Sequence, residues 1–171
     1  VAGPPVTATL RPQSCGRDAA ATQQHERSQR HQREAERLRD DGIAENTLVF
    51  FAGDNGSCTF RGKQFLYEGG ISVPLLAWGA GVQAGAVRHD LVSFMDLTAA
   101  TVAAAGLPVP STMHGHDLLA PGYTPRTHIY AARDRCDVAL ERMRCVLDTR
   151  YKYIRNFLPA IPYMQLNPYK E

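Results

Sequence analysis

The chain has 171 residues, with 19 Lys and Arg against 17 Asp and Glu, a formal net charge of +2 and a mean hydropathy of −0.29. That length suits one domain at the usual ~100–200 residues each. The near-balance of charge offers no basic excess to track a phosphate backbone, so nucleic acid is not an expected partner. No apolar run approaches the ~20 residues of a membrane-spanning helix, so no membrane is expected either.

Taken in order, residues 1–22 mix Pro, Ala, Thr and Gly without a period of 2 or 3.6, which reads as irregular chain. They hold no contiguous apolar core of a signal peptide, and the localisation stays open. Residues 23–41 are nearly all Gln, Arg, Glu, His and Asp; Ala35 and Leu38 are the only apolar members. Such a stretch forms at most an exposed helix with no stripe to bury. The division expected is therefore 1–41 as a charged, irregular N-terminal segment and 42–171 as the globular portion.

Globular patterning begins at Thr47–Ala52, a continuous apolar run, and returns at Val73–Trp78. Runs of this kind read as strands buried on both faces, as in a parallel sheet, and Pro74 stands near the start of its strand, where a missing donor is tolerated. Ser93, with Asp96 three residues on, predicts a capped helix over 94–105, stopped by Gly106 and Pro108. Thr127–Ala132 reads as a further strand. Met143–Leu147 and Tyr151–Phe157 read as a hairpin turning at Asp148-Thr149-Arg150. The Pro-containing stretch 158–171 is expected to wrap the surface.

The chemistry gathers after the first strand. Asp54-Asn55-Gly56 sets a carboxylate and an amide oxygen at a strand's carboxyl end, the edge at which open α/β sheets hold ligands. Hard oxygens of this type suit Ca²⁺ or Mg²⁺, although the triplet is also a common turn. Nine residues after Asp54, Lys63 lies in Arg61-Gly62-Lys63-Gln64-Phe65-Leu66-Tyr67-Glu68-Gly69-Gly70-Ile71-Ser72-Val73-Pro74. A lone cation in a Gly-containing loop beside a metal-type pair makes a cradle for a tetrahedral oxyanion.

Gly42-Ile43-Ala44-Glu45-Asn46-Thr47-Leu48-Val49-Phe50-Phe51-Ala52-Gly53-Asp54-Asn55-Gly56, with Lys63 and the Leu66–Pro74 run, resembles the sulfatase family of the alkaline-phosphatase-like superfamily. Leu91-Val92-Ser93-Phe94-Met95-Asp96-Leu97 through Ala105-Gly106-Leu107-Pro108 resembles it as well. So do Ala132-Arg133-Asp134-Arg135 and Arg150-Tyr151-Lys152-Tyr153-Ile154-Arg155-Asn156, all in the family's order. The resemblance covers about residues 40–171 and reads as a C-terminal portion. It implies an α/β fold: a partial alkaline-phosphatase-like sheet plus a small antiparallel C-terminal subdomain. It also implies Asp54 and Asn55 as Ca²⁺ ligands, Lys63 as the catalytic sulfate-binding cation, and a sulfated small molecule or glycan as partner. Arg133, just after a predicted strand, is a candidate to line the substrate pocket, and Glu68 to accept hydrogen bonds from loop amides.

The family's nucleophile is a formylglycine made from the Cys or Ser that opens a Cys/Ser-x-Pro/Ala-x-Arg motif. None of Cys15, Cys58, Cys136 and Cys145 opens one; Ser57 has Arg61 four residues on, but Thr59 takes the Pro position. The paired aspartates that complete the family's calcium site have no counterpart, since Asp40-Asp41 follows a charged run and not a buried strand. The expectation is a sulfuric ester or sulfamate hydrolase fragment that is inactive alone. A non-catalytic sulfated-glycan binder using Lys63, Arg61 and Arg133, and a phospho- or phosphonate-ester hydrolase relative, stay open beside it. His114-Gly115-His116 is a weaker metal candidate, and Cys136 with Cys145 is a pairing that the sequence leaves undecided.

Overall fold

The computed structural model describes residues 33–59, 61–136 and 139–163. The expected irregular stretch 1–22, the run 23–32 and the last eight residues lie outside them. The chain forms two compact units: one takes in the chain up to Ala52 together with Pro74–Arg88, the other Gly53–Val73 with the chain from His89 onward.

In the first unit, residues 33–40 are helical (α1), with Ala35 buried, Leu38 half-buried and the charged positions outside. Gly42 ends the helix at φ +70. There Ile43 N–H donates to the Leu38 carbonyl and Gly42 N–H to that of Arg39, both at 3.0 Å. This is a Schellman closure, which needs a left-handed residue and so favours glycine. A 3-10 turn, Ala44–Asn46, leads into β1 (Leu48–Ala52). Strand β1 pairs with β2 (Leu75–Gly79) from Leu48↔Gly79 to Ala52↔Leu75.

The pairing is antiparallel and every residue in both strands is half-buried. That corrects the expectation of parallel strands covered on both faces. An apolar run without a period of 2 says that both faces carry apolar groups; it carries no information on strand direction. The continuation to Gly79 is equally tight, because a Cβ there would run into the Thr47 carbonyl oxygen.

The second unit holds α2 (Glu68–Ile71), α3 (Phe94–Ala104) and a three-stranded antiparallel sheet, β3 (Ile129–Cys136), β4 (Ala139–Leu147) and β5 (Lys152–Asn156). The expected capped helix and the expected hairpin are both present. Asp148 closes the hairpin by accepting from the N–H groups of Arg150 and Tyr151 at 2.7 and 2.5 Å. Side chains alternate across the sheet. Met143 and Cys145 point inward with Ala131, Leu147 and Ile154, and pack on Leu66, Ile71 and Tyr163. The architecture is thus mixed α/β with two small antiparallel sheets, and the loop that carries Lys63 rests on the inner face of the larger one.

Candidate functional site

The residues from Gly53 to Ser72 form one folded loop that ends in α2. Gly56 N–H donates to the Gly70 carbonyl at 3.2 Å, Lys63 N–H to that of Ser57 at 2.7 Å and Phe65 N–H to that of Gly62 at 3.0 Å. These bonds draw the Asp54-Asn55 turn and Lys63 into the same closed loop. Asp54 is exposed; Asn55 and Lys63 are half-buried. Glycine is required here by close backbone approach. A Cβ on Gly56 would collide with the Gly69 carbonyl oxygen, and one on Gly70 with that of Phe65.

The left-handed positions fall elsewhere. Arg61 (φ 61) and Gln64 (φ 80) flank Lys63 in that region without being glycine. A left-handed conformation costs an ordinary residue roughly 1–2 kcal/mol, and glycine's greater unfolded-state entropy takes back about 0.5–1. Gln64→Gly is therefore expected to raise stability by about 0.5–1 kcal/mol, read as a higher midpoint in denaturant unfolding. A lower midpoint would show that the Gln64 side chain does more than tolerate its backbone.

Arg133 lies beneath this loop on the inner face of β3. Its guanidinium pairs with the Glu141 carboxylate, donates through Nη1 to the Gln64 carbonyl, and sits 4.9 Å from the Phe65 ring centre and 5.9 Å from that of Tyr163. Phe65 and Tyr163 meet edge to face at 5.1 Å, and the Leu66 N–H donates to the Tyr163 hydroxyl at 3.0 Å. Burial pushes the Glu141 carboxyl above its ordinary range, with the Arg133 charge and hydrogen bond pulling it partly back. Burial likewise raises the Tyr163 phenol. The residues next to Lys63 are thereby clamped to the sheet from below.

Glu68 opens α2, and its carboxylate pairs with Lys152 of β5 and not with the loop amides. Arg61 packs 5.5 Å from the Tyr67 ring centre. The donors of Asp54 and Asn55 are of the hard-oxygen kind that Ca²⁺ takes, but they are two groups where Ca²⁺ takes ~6–8. Among the described residues no cluster of three or more His, Cys, Asp or Glu is placed to hold a metal. Two oxygen groups are fewer than half of the donors such an ion takes.

Asp96 caps α3 as expected, with Ser93 N–H donating to Oδ2 at 2.8 Å. It also does more. Oδ1 accepts from the His116 N–H at 2.8 Å, and Arg126 reaches both oxygens, Nε to Oδ2 at 3.2 Å and Nη2 to Oδ1 at 2.5 Å. The side chain is fully buried. Burial would raise its pKa; the Arg126 hydrogen bonds and the two backbone N–H groups outweigh that and hold it below the ordinary carboxylate range. His114 and His116 serve this network through their backbones, the His114 carbonyl accepting from Arg126 at 2.8 Å, and both side chains are exposed.

Among the described residues Cys58, Cys136 and Cys145 form no disulfide with one another. The β3–β4 register explains the last two: Cys136 faces Ala139 and Cys145 faces Ala131, at opposite ends of the ladder. Glu141, Arg126 and Tyr163 are the residues that motif reading passed over. The alternation of Glu141, Met143 and Cys145 would have marked the first as inward-facing; nothing local marks the other two.

Residues 33–107 match the family described as Sulfatase. The ulvan-active sulfatase of Formosa agariphila is 33% identical over 138 residues, 80% of this chain and 23% of that protein. The N-acetylgalactosamine-6-sulfatase of Homo sapiens is 43% identical over 90 residues, 44% of this chain and 17% of that protein. Arylsulfatase A of Homo sapiens is 39% identical over 108 residues, 53% of this chain and 21% of that protein. The chain spans about a fifth of the length of these relatives. The matched family span starts with α1 and runs through Asp54, Asn55, Lys63 and the capped helix α3. Residues 33–107 thus carry the match to the sulfatase family, and the similarity to the Formosa agariphila sulfatase extends over 80% of the chain.

Proposed function

We propose that this chain supplies part of the site of a hydrolase acting on sulfate esters or sulfamates, on a sulfated small molecule or glycan. The observation that supports it best is the single closed loop holding both the Asp54-Asn55 oxygen pair and Lys63. In this reading Lys63 faces the non-bridging sulfate oxygens and balances the charge that shifts as the S–O bond breaks. Asp54 and Asn55 are two of the oxygen donors to a Ca²⁺ ion, which when complete supplies a Lewis acid for the same oxygens. Arg133 is a positioning residue: by holding the Gln64 carbonyl it fixes the backbone that carries Lys63. The sulfatase names of the relatives favour sulfate over the phosphoryl groups of the wider superfamily.

The 171 residues contain no motif that can be matured to a formylglycine, so by themselves they are expected to bind sulfate without turning it over. Titration of the chain with sodium sulfate, followed by amide NMR, is expected to move the signals of residues 54–56 and 63–65, and Lys63→Ala to weaken the binding about tenfold or more, as loss of a charge-assisted contact does. Shifts confined to other residues would remove Lys63 from the role. Turnover of an aryl sulfate by chain co-expressed with a formylglycine-generating enzyme, and its loss in Lys63→Ala, would overturn the absence of a nucleophile and return attention to Ser57 and Cys58.

A further inference from the structure

The outward face of the β3–β4–β5 sheet presents a surface unlike the apolar inner one. Register sets Tyr130, Val146 and Tyr153 in one row and Ala132, Arg144 and Arg155 in the next. Phe157 extends the face beside Arg142, its N–H donating to the Arg142 carbonyl at 2.8 Å. Tyr130 is 77% exposed and Tyr153 64%. The guanidinium groups of Arg155 and Arg142 lie 4.5 and 5.6 Å from the Phe157 ring centre. Among the described residues, Arg142, Arg144 and Arg155 share this face with the carboxylate of Asp134, which Arg144 grips with two hydrogen bonds of 2.6 and 3.2 Å. Among the described residues neither Arg142 nor Arg155 forms an ion pair.

We propose that this face docks a sulfated oligosaccharide at a place separate from the Lys63 loop. The assignment rests on the reading of the chain as part of a protein that acts on sulfated substrates. Two chemistries converge in it. A planar guanidinium matches two oxygens of a sulfate group as it does those of a carboxylate or phosphate, and Arg142 and Arg155 have their charges available for that. Tyr130 and Tyr153 stand two strand spacings apart, about 10 Å, and offer amphipathic rings on which sugar rings can lie. The positive charge is local to this face, since the whole chain carries only +2; a short sulfated chain suits such a patch better than a long nucleic-acid track. Arg133, the cation that sequence alone pointed to beside this hairpin, faces the other way and is held by Glu141.

The test is fluorescence anisotropy of a labelled heparin oligosaccharide titrated with the full 171-residue chain at two salt concentrations. R142Q/R155Q is expected to weaken binding about tenfold or more, as loss of unpaired interface charges does. Tyr153→Ala should weaken it severalfold, and R142K/R155K should retain an intermediate affinity. Both arginines are exposed, so the thermal transition of R142Q/R155Q should match that of the parent chain. R142Q/R155Q should weaken binding by the same factor when combined with Lys63→Ala, which keeps the result separate from the fate of the Lys63 loop. Parent-like affinity in R142Q/R155Q would overturn the proposal. So would equal binding of the desulfated oligosaccharide, or equal competition by single-stranded DNA.

Discussion

Asp96→Asn is expected to destabilise the unit that contains α3 by about 3 kcal/mol or more, the scale on which removing one partner of a buried ion pair falls. The carboxylate accepts from Ser93 N–H, His116 N–H and both ends of the Arg126 guanidinium, and it is fully buried. Asparagine keeps the shape but loses the charge, and it turns an NH₂ group toward donors where an acceptor stood. Two links fail together: the N-terminal cap of α3, and the tie from the helix to the segments carrying His116 and Arg126.

The pH dependence has a definite sign. Because the folded-state pKa of Asp96 is depressed, its contribution is present above the unfolded-state value of about 3.9 and is lost as pH falls toward the lower folded one. Denaturant unfolding followed by circular dichroism between pH 3 and 7 should show that acid-sensitive component in the parent chain and not in Asp96→Asn. Unfolding energies within ~1 kcal/mol of each other at neutral pH, below the range for a broken buried pair, would reduce Asp96 to an ordinary cap.

Arg133→Met is expected to cost about 3–5 kcal/mol near neutral pH, and R133M/E141L to recover most or all of that loss. The single change strands the Glu141 carboxylate, whose side chain is 2% exposed, without its cation. The double change fills the same space with apolar groups and leaves no charge to desolvate. Glu141 is held above its ordinary range by burial, so the folded state keeps a proton that the unfolded state releases. Stability therefore falls as pH rises from the unfolded value of about 4.3 toward the folded one.

Without Arg133 the folded value moves further up, so the window extends toward neutral pH and the deficit of Arg133→Met should shrink in mild acid. The same variant frees the Gln64 carbonyl, so sulfate binding at Lys63 should weaken as well, and this readout tests the positioning role. Coupling between the two sites below ~0.5 kcal/mol in the double-mutant cycle would mark the pair as independent.

Local chemistry explains what was readable from the chain alone. Helix α3 follows from Ser93 and Asp96 at its start and Gly106 past its end, all within one short stretch. The hairpin over 143–157 follows from period-2 alternation and an Asp that accepts from the two N–H groups of its own turn. Asp54, Asn55 and Lys63 stand out because they lie nine residues apart on one loop, closed by bonds that span no more than fourteen positions.

The tertiary structure decided the rest, and in each case the missing information sits far along the chain. The direction of the β1–β2 pair is invisible in two uniformly apolar runs, because such runs have no period to orient. Asp96 reads as a cap until Arg126, thirty residues later, is folded onto it. Arg133 reads as a candidate to line the substrate pocket because its burial depends on contact with Gln64, sixty-nine positions away. A charge enters the interior only when a partner arrives to compensate it, and that partner is a fact of the fold.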